Sequence, residues 1–152
     1  MSIVRSSIAI AAPPEAVWAV VMDPRRFGEW VTIHRELRSL SAERPREGST
    51  MEQTLHLRGA DIRVRWLLVE CREPHYARWE GNGPARSNAH IEYRLTATDE
   101  GTRFDYQNEF RAPLGALGAL ASRTVMGQTP QREADRSLSA LRRLLERSSR
   151  EG

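Results

Sequence analysis

Lysine is absent from this sequence, cysteine occurs once, and aromatic residues make up only 7% of it. All 23 basic residues are therefore arginine, scattered among 20 acids for a net charge of +3. A nucleic-acid partner is read from basic residues clustered in a stripe or a known motif. Neither is present, so nucleic acid is not an expected partner. The arginine bias reads as the imprint of a GC-rich genome. Cys71 has no second cysteine to pair with, which excludes an intrachain disulfide and makes a reducing cytoplasm the expected location. No stretch approaches the roughly 18 apolar residues that cross a bilayer, so integral membrane association is not expected either. Arg5, Ser6 and Ser7 interrupt the apolar run near the start, which leaves no signal-peptide core.

Chemical signatures are also sparse. His34, His56, His75 and His90 show no paired ligand spacing, so no metal or other cofactor is expected. His90-Ile91-Glu92 matches half of a deaminase motif, but no cysteine pair follows it. No serine sits in a nucleophile elbow, and Gly81 and Gly83 lie in a turn with no helix after it to hold a phosphate.

What is present is alternation. At 152 residues the chain is long enough for one cored domain, and no linker or repeat divides it, so residues 1–152 are expected to form a single domain. Residues 2–11 alternate as a strand, with Val4, Ser6, Ile8 and Ile10 on one side. Pro13-Pro14-Glu15 opens a short helix carrying Val17, Val20 and Val21, which Asp23-Pro24 ends. Arg25 to Trp30 forms a second short helix or turn. Alternating runs then continue to residue 111. Met51 to Leu57, Ile62 to Leu68, Tyr76 to Glu80, Ile91 to Thr96 and Arg103 to Phe110 are separated by Gly59-Ala60-Asp61, Gly81-Asn82-Gly83-Pro84 and Asp99-Glu100-Gly101. Successive hairpins predict an antiparallel sheet with one charged face and one covered face.

The remaining segment must cover that apolar face. Pro113 opens it, and Leu114, Leu117, Leu120, Ala121 and Thr124 follow at helical spacing. Ala134, Leu138, Leu141 and Leu145 resume the stripe after an expected kink or break at Gly127 to Pro130. Gly115, Ala116, Gly118, Ala119 and Ala121 make the first half slim. A helix that slim either packs close to the sheet or leaves space above it.

Particular residues accompany this order of elements. They are Ile8-Ala9-Ile10-Ala11-Ala12-Pro13-Pro14-Glu15-Ala16-Val17-Trp18, Asp23-Pro24 and Trp30, then Gly48, Val69-Glu70 with Pro74, Gly101-Thr102, and Ser137-Leu138 with Leu141 and Glu146. The series resembles the START-like superfamily, also called SRPBCC or Bet v 1-like, and within it the polyketide cyclase/dehydrase branch. The resemblance implies an α+β helix-grip fold, in which a seven-stranded, curved antiparallel sheet wraps a long C-terminal helix. It places two short helices between strands 1 and 2. It also implies a cavity for a small hydrophobic molecule such as a lipid, polyketide or aromatic metabolite. Carriers, sensors, self-resistance proteins and enzymes all share that fold, so fold analogy cannot choose among them.

Strand parity puts Gln53, Leu55, Trp66, Tyr93, Tyr106 and Asn108 on the covered face, with Trp79 beside them and Leu117 facing them from the helix. Two readings stand for these positions. They contact a ligand, with Tyr106 and Asn108 orienting a carbonyl, or they are core residues whose polar tips reach backbone or buried water. The cyclases of the resembled branch bring an Arg and a Tyr into the cavity. Here Arg63 and Arg65 fall on the charged parity, and Arg35 is the one basic side chain whose parity, shared with Ile33 and Leu37, points inward. The expected function is binding of a small hydrophobic metabolite by a monomer or homodimer. The alternative is a cyclase or dehydratase using Tyr106, Asn108 or Arg35.

Overall fold

The computed structural model describes residues 2–57, 59–111 and 129–151. The first strand, β1 (Ser2–Ile10), ends before Pro13, and Pro14 opens α1 (Pro14–Val21) with Glu15 in its first turn. Proline is tolerated there because the first N–H groups of a helix have no partner within it. The helix turns Val17, Trp18, Val20 and Val21 inward. Asp23 then accepts a hydrogen bond from the Arg25 backbone N–H at 3.1 Å and starts the 3-10 turn Pro24–Arg26. That turn leads directly into α2 (Phe27–Trp30), which buries both of its aromatic rings.

Six more strands complete one sheet: β2 (His34–Leu40), β3 (Thr50–Leu57), β4 (Ala60–Arg72), β5 (Tyr76–Asn82), β6 (Asn88–Thr98) and β7 (Gly101–Arg111). Every neighbouring pair is antiparallel, in the order β1-β7-β6-β5-β4-β3-β2. The helix-grip fold is thus the one this chain adopts.

The last helix, α3 (Thr129–Glu151), buries Ala134, Leu138, Leu141 and Leu145 along one stripe. It packs along β1 and reaches α2. Polar bonds fix it there. Ser6 Oγ donates to Asp135 Oδ1 at 2.7 Å, Gln131 Nε2 to the Arg5 carbonyl at 2.9 Å, and the Ala11 N–H to Glu146 Oε2 at 3.1 Å. Pro130 falls in its first turn. The slim stretch from Pro113 through Gly127, Leu117 included, lies outside the described residues. Among the described residues no helix is long and apolar enough to cross a membrane.

One departure from the sequence expectation follows from side-chain room. The run Gly81-Asn82-Gly83-Pro84 does not all turn, because Gly81 and Asn82 belong to β5 and only the stretch after them leaves the strand. Gly81 lies opposite Trp66, and a Cβ built on it meets the indole ring at 2.6 Å. The glycine is there to seat the neighbouring strand's indole, and it does not break the strand. At the β6–β7 turn the requirement is backbone space. Gly101 has φ +146°, and a Cβ would lie 2.3 Å from the Ile10 carbonyl oxygen. This close approach holds the β1 edge closed on β7.

Gly101→Ala should therefore destabilise the fold by about 1–3 kcal/mol, from the sparsely allowed backbone conformation and the main-chain clash together. Urea unfolding measures this as a lowered midpoint at unchanged slope. A variant within about 0.5 kcal/mol of the parent would contradict that role for Gly101.

Candidate ligand cavity

Pairing of β3 through β7, regular apart from one register shift between Leu68 and Glu70, sends alternate side chains to the concave face. Met51, Gln53 and Leu55 come from β3, Ile62, Val64 and Trp66 from β4, Trp79 and Gly81 from β5. Ala89, Ile91 and Tyr93 come from β6, and Tyr106, Asn108 and Phe110 from β7. Opposite them stand Phe27, Trp30, Val31 and Ile33, with Ala134, Ser137 and Leu138 of α3. Between these walls lies a cavity of about 150 Å³. A void of this size in an apolar core admits a guest of about one aromatic ring, whereas whole ligand pockets run from roughly 300 Å³ upward. The deep end is made of fully buried residues, including Trp30, Trp66, Trp79 and Tyr93. Toward the other end Ala89, Ile91, Asn108 and Phe110 are only half-buried, so a larger guest has to extend that way.

The deep end is aromatic and preorganised. Tyr93 packs against Phe104 at 5.5 Å, Tyr106 at 6.1 Å and Trp30 at 6.3 Å between ring centroids. Trp30 meets Phe27 edge-on at 6.2 Å. Such tilted pairs satisfy the ring quadrupoles and add roughly 0.5–1.5 kcal/mol each beyond burial.

Polar groups in this wall form one closed relay and two open ends. Trp66 Nε1–H donates to Gln53 Oε1 at 3.0 Å, and Gln53 Nε2 donates to His34 Nδ1 at 2.8 Å. With Nδ1 accepting, the His34 proton sits on Nε2, and desolvation keeps this imidazole below its ordinary pKa. Gln53 is thereby committed on both sides and braces the Trp66 ring. The open ends are Trp30 Nε1 and Asn108 Oδ1, both buried with no hydrogen-bond partner among the described residues. Leaving such a group unpaired costs about 1–3 kcal/mol, which a guest or water reaching it would recover.

The tyrosines stay neutral. Burial pushes the Tyr106 hydroxyl up to about 12, against a smaller opposing pull from its hydrogen bond with Asn108. Burial drives Tyr93 upward too, reinforced by Tyr106. Neither is a base or nucleophile near neutrality; each can only donate or accept a hydrogen bond. Cys71 offers no thiolate, since burial first and then Glu73 and Glu47 raise its pKa.

Of the residues singled out from sequence, the structure brings Gln53, Leu55, Trp66, Trp79, Tyr93, Tyr106 and Asn108 together around the cavity. Leu117 lies outside the described residues. Arg35 is a correction. Its side chain is 56% exposed and turns to Asp61 Oδ2 at 3.5 Å and His56 Nδ1 at 3.4 Å, away from the cavity. The reason is irregular pairing. Register shifts between His34 and Glu36 and between Leu37 and Ser39 break the alternation, so His34, Leu37 and Leu40 turn inward at every third position. Two residues escape the sequence reading. His34 is one, hidden by those bulges. Glu133 is the other, a half-buried carboxylate that lines the cavity and accepts a 2.5 Å hydrogen bond from Thr32 Oγ1. Its i,i+4 partner Ser137, on the buried side of α3, is the available signal.

Comparison with known proteins places this architecture. The family described as polyketide cyclase / dehydrase and lipid transport has a model that matches residues 1–146. The chain belongs to that family. Within 124 residues it is 25% identical to the toxin Rv0910 of Mycobacterium tuberculosis (strain ATCC 25618 / H37Rv), covering 80% of this chain and 86% of that protein. The crystal structure of TTHA0849 from Thermus thermophilus superimposes with a TM-score of 0.77 at 18% identity, over 97% of this chain and 99% of that one. DynU16, a protein of the dynemicin biosynthetic locus, gives 0.61 at 18% identity, over 96% of this chain but 48% of that one. At such identities these two structures share the fold of the polyketide cyclase/dehydrase family and carry nothing finer.

This family member has three tyrosines, and all three are held above their ordinary pKa. Tyr76, the third, is raised by burial first and then by its 2.9 Å hydrogen bond to Glu92. A phenol raised in the fold stabilises it fully below the unfolded pKa near 10, and that stability is lost as pH climbs through the folded value. Tyrosinate absorbance at 295 nm should therefore be clearly lower in the native protein at pH 10 than in the urea-unfolded chain, which is about half ionised there. The Tyr106 phenol should ionise only toward pH 12, together with loss of the fold. Half-ionisation at pH 10 with the fold intact would contradict these burials.

Proposed function

We propose that this protein binds a small aromatic or otherwise apolar metabolite in the cavity under its sheet, in the cytoplasm, and carries, senses or sequesters it. The observation that carries the reading is the cavity's character: buried indoles and phenols, two unpaired polar atoms, and no neutral-pH acid/base pair among its described lining residues. The family's description, which joins polyketide cyclases with lipid transport, supports a polyketide or lipid as the guest. On this reading residues 1–152 act as one ligand-binding domain. Gln53, Leu55, Trp66, Trp79, Tyr93, Tyr106 and Asn108 contact the guest, and Gln53 acts chiefly through Trp66.

One observation favours a second reading, that of a cyclase or dehydratase. The neutral Tyr106 hydroxyl lies beside Asn108, whose Oδ1 has no partner among the described residues. The Tyr106 hydroxyl can donate to a substrate carbonyl and polarise it, and Asn108 Oδ1 can accept from a substrate hydroxyl and orient it, without any proton transfer of their own. Turnover of a polyketide intermediate that is lost in Tyr106→Phe while binding persists supports the enzyme; binding without turnover supports the carrier.

The binding claim itself is tested with the protein purified from its own host. Native mass spectrometry should retain a small organic adduct, and the emptied protein should bind 2-naphthol saturably by calorimetry. Ala89→Trp, placed on the half-buried part of the wall, should weaken that binding about tenfold or more with the melting temperature little changed. No adduct, and no 2-naphthol binding above that of an unrelated protein, would end the proposal.

A further inference from the structure

Among the described residues that line the cavity, Glu133 is the single charged side chain. Its surroundings are built around it. Thr32 Oγ1 donates to Glu133 Oε2, and Ser137 Oγ lies 3.2 Å from Thr32 Oγ1 while accepting from the Thr32 N–H at 3.0 Å. Each hydroxyl has one proton, so Ser137 donates to Thr32 and Thr32 donates to the carboxylate. This chain fixes the carboxylate at the junction of α3 with the segment leading into β2. Its one ion-pair partner among the described residues is Arg136, 3.4 Å from Oε1 and 69% exposed at the side chain. Water screens an arginine so placed, and a pair of this kind neutralises little of the carboxylate's field. Glu133 itself is 21% exposed, so its charge acts on the cavity through a less screened path. A carboxylate also has about four acceptor positions, and these two contacts leave some free.

We infer that Glu133 sets the guest's chemistry: the cavity takes aromatic molecules that present a hydroxyl or ammonium to this carboxylate, and rejects those that present a carboxylate. This deepens the binding reading above and rests on it. The rest of the described wall is neutral, so no arginine or histidine there receives an acidic guest. A fatty acid or an acid-terminated chain would put two like charges into one weakly screened space. A phenol or amine instead finds an acceptor already oriented by Thr32.

The test separates charge sign from the general cost of burying charge. 2-Naphthylmethylamine as its ammonium and 2-naphthoate as its carboxylate present the same ring system and comparable desolvation penalties. 2-Naphthol is the neutral reference. Isothermal titration at neutral pH should give the ammonium a Kd lower than the carboxylate's by about tenfold or more in the parent protein. Glu133→Gln keeps the shape and removes the charge, and should close that gap to within about threefold. Glu133→Ala, which also removes the charge, should do the same and covers the case in which the glutamine variant fails to fold. 2-Naphthoate binding as tightly as the ammonium in the parent, or a gap that survives both substitutions, would overturn the inference while leaving the cavity reading intact. Failure of all three probes, 2-naphthol included, would take down both.

Discussion

The last helix lies to one side of the sheet, and everything attributed to the cavity depends on that offset. α3 packs along β1 and against α2, and α1 and α2 reach β6, so the concave face over β3 to β5 is left without a described helix pressed on it. Hydrophobic burial alone would draw an amphipathic helix over the middle of an apolar sheet face. Directional bonds hold it to the edge instead, at Ser6–Asp135, Gln131 to the Arg5 carbonyl, and Glu146 to the Ala11 N–H. Thr32 and Ser137 fix its other flank. The polar row on α3 therefore sets the helix position, while the stripe of Ala134, Leu138, Leu141 and Leu145 supplies the burial.

The wall opposite is rigid for reasons that are local and chemical. Gly81 makes room for the Trp66 indole, Gln53 holds that indole by its N–H, and His34 holds Gln53. Each step is a close contact or a committed hydrogen bond, so the ring has little freedom to swing into the cavity. The aromatic pairs around Tyr93 do the same at the floor. A void bounded by fixed rings stays open, because collapse would require several of them to leave good geometry together.

Most of this is legible in the sequence where the chain is regular. Along β3, β6, β7 and the part of β4 before the Leu68–Glu70 register shift, alternation holds, and parity alone puts Gln53, Trp66, Tyr93, Tyr106 and Asn108 on the concave side. Where the chain is irregular, parity fails. Two register shifts in β2 send Arg35 outward and His34 inward, and no single-residue pattern announces a bulge. Gly81 reads as a turn because a glycine beside Asn-Gly-Pro ordinarily is one. Its real reason lies on the neighbouring strand, in the Trp66 ring. Glu133 is lost in a charged helical face, since its inward tilt depends on where α3 is anchored.

Among the described residues the resulting site is an aromatic enclosure with one carboxylate on its wall. Its described space is about 150 Å³, so shape admits one ring fully and the remainder of a larger guest must reach toward Ala89 and Phe110. The most direct test is a crystal structure of the protein under xenon pressure. Xenon enters dry, apolar voids without needing hydrogen bonds. A xenon atom bounded by Trp66, Ile91 and Leu138 is the expected result. Continuous side-chain density through that volume, with no xenon, would contradict the central claim that the fold encloses a guest-sized space.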